Sequence, residues 1–112
     1  MNNASETIEM PKNISNKAKQ AINAIIQTVN HYDNFCSGGG KSFYSPQEWK
    51  EREEKYGTES ILIVTYDGGD LAPYFNLDYE CYSQFESMTK SLDKVGLIAE
   101  PCTCWYSAIY KH

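Results

Sequence analysis

Two stretches of the chain carry apolar residues at three- and four-residue steps, which predicts two amphipathic helices. Ser15 is placed to cap the first helix, whose apolar positions are Ala18, Ala21, Ile22, Ile25, Val29 and Tyr32. The second begins near Asn76 or Asp78 and ends at Gly96. Its apolar positions are Cys81, Phe85, Met88, Leu92 and Val95.

A third, shorter helix is predicted from the Ser-Pro-Gln-Glu segment at positions 45–48, which contains the residues of a capping box with proline at the first helical position. We expect this helix to run to Tyr56 and to end in a left-handed turn at Gly57. Only Trp49 and Tyr56 are strongly apolar within it. The helix is therefore expected to pack against the protein body along one narrow edge.

Alternating and continuous apolar runs predict the strands. The segment 60–66 contains the uninterrupted apolar run 61–64, which is typical of a central strand buried on both faces. We expect a tight turn at 67–70 and a return strand at 71–75, in which Pro73 restricts pairing to an edge position.

The C-terminal part predicts two further strands, 97–99 and 103–110, separated around Pro101. In the second, one face would carry Cys104, Tyr106, Ala108 and Tyr110, and the other Thr103, Trp105, Ser107 and Ile109. The resulting fold class is α+β, a small antiparallel sheet with helices packed on one face, in the order α-α-β-β-α-β with a further possible strand. Residues 1–12 are expected to be a flexible lead, and 13–112 a single domain.

The predicted core joins the second long helix to the central strand. Phe85 and Leu92 lie seven residues apart on the apolar stripe, so both are expected to pack against the 61–64 run. On this basis, Phe85→Ala would cost ~3–5 kcal/mol of folding free energy.

Composition places the chain among ordinary globular domains, with 112 residues, 41% hydrophobic and 22% charged. No apolar run approaches the ~20 residues of a membrane span, and the polar N-terminus lacks a signal-peptide core. We therefore expect a cytoplasmic protein with no membrane partner, whose four cysteines stay reduced.

Charge is concentrated in one block. The 34 positions between Lys55 and Lys90 contain six acidic residues, five tyrosines and no basic residue. An acidic, tyrosine-rich segment is typical of a surface that meets a basic protein, and it argues against nucleic acid as a direct ligand. The predicted partner-binding residues are Asp67, Asp70, Tyr74, Asp78, Tyr79, Glu80, Tyr82 and Glu86.

Other candidate chemistry is less specific. The Gly-Gly-Gly-Lys-Ser segment at 38–42 lacks the strand, spacing and following helix of a phosphate-binding loop. The Asp67–Asp70 turn could offer oxygens to Mg²⁺ or Ca²⁺, but the spacing of a calcium-binding loop is missing. Cys102 and Cys104 have no second ligand pair, so they are interpreted as buried structural thiols. We expect no cofactor, no metal and no catalytic residue.

The segments Leu-Ile-Val-Thr-Tyr-Asp-Gly-Gly-Asp at 62–70 and Cys-Thr-Cys-Trp-Tyr-Ser-Ala-Ile-Tyr at 102–110 resemble small uncharacterised proteins of phages and conjugative elements. The resemblance covers a little over half of the chain, from Trp49 onward. It implies an anti-defence accessory protein, because several proteins of that kind are short, acidic inhibitors that occupy nucleic-acid-binding surfaces.

The predicted function is therefore a non-enzymatic inhibitor that binds a basic, nucleic-acid-binding defence component. Two alternatives stay open. One is a small DNA-binding regulator that uses the first helix with Lys12, Lys17 and Lys19. The other is a metal-dependent enzyme that uses Asp67 and Asp70.

Overall fold

A computed structural model describes residues 11–32, 42–66 and 71–112, and it has the predicted α+β class. The elements, in chain order, are α1 (Asn16–Tyr32), β1 (Phe43–Tyr44), α2 (Pro46–Glu51), β2 (Leu62–Thr65), α3 (Ala72–Phe75), a 3₁₀ turn (Leu77–Tyr79), α4 (Tyr82–Lys94), β3 (Leu97–Pro101) and β4 (Tyr106–Lys111). Over these described ranges, no helix combines the length and apolar character needed to cross a membrane.

The four strands form one antiparallel sheet in the order β1-β2-β4-β3. Strand β2 lies between β1 and β4, so the predicted central strand is confirmed. Its Val64 pairs with Phe43 on one side and with Ser107 on the other. Strands β1 and β3 form the two edges.

Side chains alternate across this sheet, and each face has its own apolar cluster. One cluster joins sheet residues such as Leu62 and Val64 to the long helices, which contribute Ile22, Met88 and Leu92. The opposite cluster consists of Trp49, Ile63, Tyr106 and Ala108. The expectation of helices on one face therefore holds for the two long helices, whereas α2 covers part of the other face.

The two long helices are tied together at one end by a lysine. Ser15 Oγ accepts a hydrogen bond from the Ala18 amide at 3.1 Å, which confirms the predicted cap of α1. In the same first turn of α1, Lys17 Nζ donates to the Val95 carbonyl at 2.6 Å, just beyond the C-terminal end of α4. A cation is favourable there because the last carbonyls of a helix are unpaired and carry partial negative charge.

Helix α2 is shorter than predicted. Its capping box is confirmed, but it ends at Glu51 rather than at Tyr56, and Glu53 takes the left-handed backbone with φ of 61°. Gly57 also has a positive φ, 86°, because the chain there passes against β2. A Cβ at Gly57 would lie 2.8 Å from Ile63 Cδ1 and 3.1 Å from Ala108 Cβ, so another residue here would be strained by the backbone and crowded by these neighbours.

The predicted return strand at 71–75 is wrong, because these residues form α3. Pro73 lies in the first turn, where no amide donor is needed, and the Asn76 amide donates to the Ala72 carbonyl at 2.8 Å. A short apolar run buried on most sides fits a helix as well as a strand. The predicted turn at 67–70 lies outside the described residues.

Helix α4 begins at Tyr82, later than the predicted start near Asn76 or Asp78. Asn76 Oδ1 does accept from the Asp78 amide, at 2.9 Å, but this bond caps the single 3₁₀ turn. Glu80 then adopts a left-handed backbone with φ of 56°, which ends that turn before α4 starts. The predicted end at Gly96, with φ of 76°, is confirmed.

The edge strand β3 extends through Pro101, where a break was expected. The His112 amide donates to the Gly96 carbonyl, and the Cys102 amide donates to the Tyr106 carbonyl. Hydrogen-bonded and non-bonded pairs alternate along an antiparallel ladder. Pro101 therefore falls at a non-bonded position opposite Ser107, where its missing amide hydrogen costs no ladder bond.

Candidate functional site

The link between α3 and α4, together with the first turns of α4, forms a surface with exposed large apolar and acidic side chains. We call it the acidic–aromatic surface; it consists of Leu77, Asp78, Tyr79, Glu80, Tyr82 and Glu86. The exposed fractions of its three large apolar side chains are 50% for Leu77, 45% for Tyr79 and 63% for Tyr82. Such side chains are normally half-buried at least, so their proximity in sequence marks a candidate contact surface.

Backbone hydrogen bonds hold this link in shape. The Glu80 amide donates to the Leu77 carbonyl at 2.9 Å, and the Tyr79 amide donates to the Asn76 carbonyl at 3.2 Å. The left-handed conformation of Glu80 is unfavourable for a residue with a Cβ, by ~1–2 kcal/mol. The surface is thus built on a tight, partly strained turn between two helices.

The acidic groups of the surface differ in their surroundings. Glu86 Oε1 lies 3.0 Å from Lys90 Nζ, one helical turn further along α4, and both side chains are about 70% exposed. Exposed pairs of this kind contribute little stability. Asp78 and Glu80 are also exposed, and within the described part of the chain neither has an ion-pair partner. These two carboxylates carry the negative charge that is open to a partner.

Five of the eight predicted partner-binding residues lie on this surface: Asp78, Tyr79, Glu80, Tyr82 and Glu86. Tyr74 does not, because its side chain is only 6% exposed and belongs to the main apolar cluster. Its ring lies edge-on to that of Tyr32, with 6.0 Å between ring centroids. Tyr74 is therefore a core residue. Asp67 and Asp70 lie outside the described residues.

For two exposed residues, the structure differs from what the sequence predicts. Leu77 had no predicted role, since a lone leucine between polar residues gives no periodic signal. Tyr32 was expected to end the buried stripe of the first helix, but it is 41% exposed. Its hydroxyl lies 2.6 Å from Ser87 Oγ and donates to the Ser83 carbonyl at 3.3 Å, so it lies against the first turns of α4.

The cysteines lie in a different environment from the one predicted. Cys102 and Cys104 occupy the turn between β3 and β4 rather than a strand; Cys102 is half-buried, and Cys104 is exposed. Burial, with a smaller contribution from Glu100, raises the pKa of the Cys102 thiol above its usual 9.0, so it stays a weakly nucleophilic thiol. Across residues 11–32, 42–66 and 71–112, no three His, Cys, Asp or Glu side chains are arranged to hold a metal ion.

The turn also changes the face of the sheet on which Trp105 packs. It was expected to share a face with Ser107 and Ile109, but it packs with the cluster around Trp49, at 5.8 Å between ring centroids. The strict alternation of a strand does not apply because β4 begins only at Tyr106.

Of the three lysines proposed for DNA binding, Lys17 is engaged within the protein. Lys17 is engaged with the Val95 carbonyl and is half-buried, while Lys12 and Lys19 are exposed. Phosphate contacts need free, clustered cations. The exposed cations of this group are therefore Lys12, which precedes α1, and Lys19, which lies within it.

The chain matches no known protein family, no curated protein and no solved structure.

Proposed function

We propose that this protein is a small, non-enzymatic binding module whose acidic–aromatic surface docks onto a basic surface of another protein. The observation that carries the proposal is the exposure of Leu77, Tyr79 and Tyr82 among the exposed carboxylates Asp78 and Glu80. Aromatic side chains are enriched at the centres of protein interfaces, and charged residues at their rims.

The two kinds of side chain have separate roles in this mechanism. Carboxylates attract a basic partner over a distance, which raises the association rate and favours partners of opposite charge. Burial of a large apolar side chain contributes ~1.5–3 kcal/mol, which slows dissociation. Tyrosine suits this position because its ring can be buried while its hydroxyl remains hydrogen-bonded.

The partner that fits this chemistry is a protein whose lysines and arginines normally hold phosphates. Asp78, Glu80 and Glu86 would then occupy the sites on the partner that otherwise bind nucleic-acid phosphates. Nucleic-acid binding by the partner would be blocked. The resemblance to accessory proteins of phages and conjugative elements favours a component of a defence system as the target. The function proposed is thus inhibition by occupation of a nucleic-acid-binding surface.

A first experiment captures the partner and tests the aromatic anchor. The immobilised full chain is exposed to host lysate, captured proteins are identified by mass spectrometry, and the purified partner is titrated in solution. The double substitution Tyr79→Ser and Tyr82→Ser should weaken binding at least tenfold, mainly by faster dissociation.

Tyr56 provides the matched control, because it is a tyrosine with 48% exposure outside the surface. Tyr56→Ser should leave the affinity within twofold of the wild-type value. If the partner binds the Tyr79 and Tyr82 double variant as tightly as the wild type, the contact is made elsewhere and the proposal is wrong.

The DNA-binding alternative predicts salt-dependent retention on a DNA column that is lost when Lys12 and Lys19 are changed to Gln. The metal-dependent alternative predicts a rise in melting temperature with Mg²⁺ that is lost in Asp67→Asn. Neither effect is expected if the protein acts through the acidic–aromatic surface.

A further inference from the structure

Strand β3 lies at an edge of the sheet, because β4 is the strand that pairs with it. Hydrogen bonds to β4 form at alternate residues, and Ala99 and Pro101 fall at the non-bonded positions, opposite Ile109 and Ser107. The backbone groups of Ala99 and Pro101 are therefore directed away from β4. Among the described residues, none bonds to the Ala99 amide or to either carbonyl. Ala99 is half-buried and Pro101 is exposed, so this edge offers one donor and two acceptors.

On the side of the sheet that faces α4, this edge borders an apolar pocket of about 190 Å³. Phe85, Met88 and Leu92 of α4 line the pocket together with Ala99 and Pro101 of β3. Phe85 is half-buried there, whereas the sequence predicted that it packs against the central strand. An apolar cavity of ~150 Å³ in another protein binds benzene, so this pocket has room for one large apolar side chain.

On the opposite side of the sheet, the same end of β3 borders an acidic pocket of about 420 Å³. Glu59, Glu100, Tyr56 and Tyr110 line it, and Pro101 lines both pockets. Burial raises the pKa of Tyr110 above 10.0, and a neighbouring thiol and the charges of Glu100 and Glu59 raise it further. The two carboxylates therefore lie close enough to the Tyr110 hydroxyl to act on it.

The acidic pocket is suited to a basic side chain. Glu59 and Glu100 are exposed, and within the described part of the chain neither forms an ion pair. Lys55 also lines the pocket, and its Nζ lies 5.4 Å from the centre of the Tyr56 ring. A cation is attracted to the face of a tyrosine ring, and a carboxylate beside the ring adds to that attraction.

We propose that the free edge of β3 pairs with an extended segment of another protein in which apolar and basic residues alternate. Successive side chains of a strand point to opposite faces of the sheet, so neighbours in the added strand enter the apolar and the acidic pocket in turn. Backbone hydrogen bonds to the edge provide affinity, and the two pockets select the side chains. This edge is distinct from the acidic–aromatic surface, and the inference does not depend on the proposed function.

A second copy of this chain fits the edge less well than such a segment. Leu97 and Ala99 face the α4 side, and Leu97 is 1% exposed because its own helices cover it. The Leu97 side chain of a second copy is therefore not free to enter the apolar pocket. On the other side, a paired copy would bring another Glu100 towards Glu59 and Glu100, and like charges across a strand pair are unfavourable.

The test titrates peptides into the full chain while its amide resonances are followed by NMR. The probe is the acetylated and amidated heptapeptide Thr-Val-Arg-Leu-Arg-Val-Thr. One control peptide has Glu in place of both Arg, and the other has Thr in place of Val and Leu. We expect saturable shifts at Ile98, Ala99 and Glu100 with the probe, and at least tenfold weaker binding of each control peptide.

Ala99→Pro tests the backbone pairing. It removes the outward amide donor and no bond to β4, as Pro101 does two residues further along. The variant should bind the probe about fivefold more weakly, as for the loss of one neutral hydrogen bond. In the wild type, the probe should also slow hydrogen exchange of the Ala99 amide.

The acidic pocket is tested with a matched pair of charge changes. Glu59→Gln with Glu100→Gln should reduce the preference for the Arg peptide over the Glu peptide at least fivefold. Glu51→Gln with Glu53→Gln removes the same charge from exposed positions that do not line this pocket, and it should leave the preference within twofold.

The proposal is overturned if the probe gives no saturable shift at Ala99 up to its solubility limit, or if all peptides bind equally. Equal binding by Ala99→Pro and the wild type refutes the backbone pairing. Should that variant fail to fold, unchanged exchange of the Ala99 amide in the peptide-saturated wild type refutes it as well. A dimer of the free chain in analytical ultracentrifugation that Ala99→Pro dissociates would make a second copy the occupant and overturn the proposal.

Discussion

Trp49 is expected to be the main support of the second face of the sheet. Its side chain is fully buried, and its ring centroid lies 5.1 Å from that of Tyr44 and 4.9 Å from that of Tyr106. The guanidinium carbon of Arg52 lies 4.7 Å from the Trp49 ring. Removing this ring opens a cavity and removes several aromatic contacts at once.

The expected cost of Trp49→Ala is therefore in the upper part of the ~3–5 kcal/mol range for large aromatic residues in a core. Small domains have ~5–15 kcal/mol of stability in total, so the variant should be marginally folded at best. The effect is measured by urea unfolding followed by circular dichroism. Fluorescence is unsuitable as the probe because removal of Trp49 itself changes the signal. The midpoint should fall by on the order of 2 M.

Trp49→Phe separates ring packing from the indole amine. Nε1 of Trp49 is buried, and it has no hydrogen-bond partner within the described part of the chain. Phenylalanine keeps one ring and removes this unsatisfied donor, whose burial costs ~1–3 kcal/mol. Both variants remove the donor, so they differ only in the ring: the Phe variant should be at least ~2 kcal/mol more stable than the Ala variant because it keeps ring packing.

Tyr56→Ala is the matched control, since Tyr56 was the only other strongly apolar residue of the predicted helix and is 48% exposed. Its change should stay within ~0.5 kcal/mol. Equal effects of Trp49→Ala and Tyr56→Ala would refute the assignment of α2 to the second face. An unchanged midpoint for Trp49→Ala would do the same.

Three further predictions follow from burial. Met88→Ala should cost ~2–5 kcal/mol in urea unfolding. Phe85→Ala should cost less than Met88→Ala, and less than the ~3–5 kcal/mol expected from sequence, because Phe85 is half-buried; equal costs would contradict this. A thiol reagent should label exposed Cys104 before Cys102, as read by mass spectrometry, and the reverse order would contradict the assigned burial. Folding raises the pKa of Cys102 above 9.0 and that of Tyr66 above 10.0. The free energy of unfolding should therefore fall as the pH rises past these values. Tyr66→Phe should make this fall in stability smaller between about pH 8 and about pH 11.

Local sequence signals were sufficient where one physical rule dominates. The apolar stripe of α1, the Ser45 capping box and the continuous run of β2 each follow from spacing or a single hydrogen-bonding motif. They were therefore predictable with no knowledge of neighbours. The end of α4 at Gly96 follows from the same kind of rule.

The remaining features depend on tertiary contacts. The apolar run 71–75 could form either a strand or a helix. Its packing beside α4 selects the helix, α3. Tyr74 and Tyr79 have the same side chain, yet one is buried and the other exposed, because only Tyr74 lies on α3. The acidic, tyrosine-rich block was visible in the sequence, but the sequence did not show which of its tyrosines are exposed.

The most direct measurement of the central claim compares two double charge reversals for binding to the captured partner. Asp78→Lys with Glu80→Lys changes the acidic–aromatic surface, and Glu51→Lys with Glu53→Lys is the control. In each pair, the two residues are exposed and lie two positions apart in the sequence. The second residue of each pair has a left-handed backbone, with φ of 56° for Glu80 and 61° for Glu53.

Both variants change the net charge equally, and both should keep a near-normal melting temperature because exposed charges contribute little to stability. We expect the Asp78 and Glu80 reversal to weaken binding more than tenfold, most strongly at low salt, while the control stays within threefold. Equal loss in both variants would show that only net charge matters. Unchanged binding in the Asp78 and Glu80 variant would contradict the acidic–aromatic surface as the contact site.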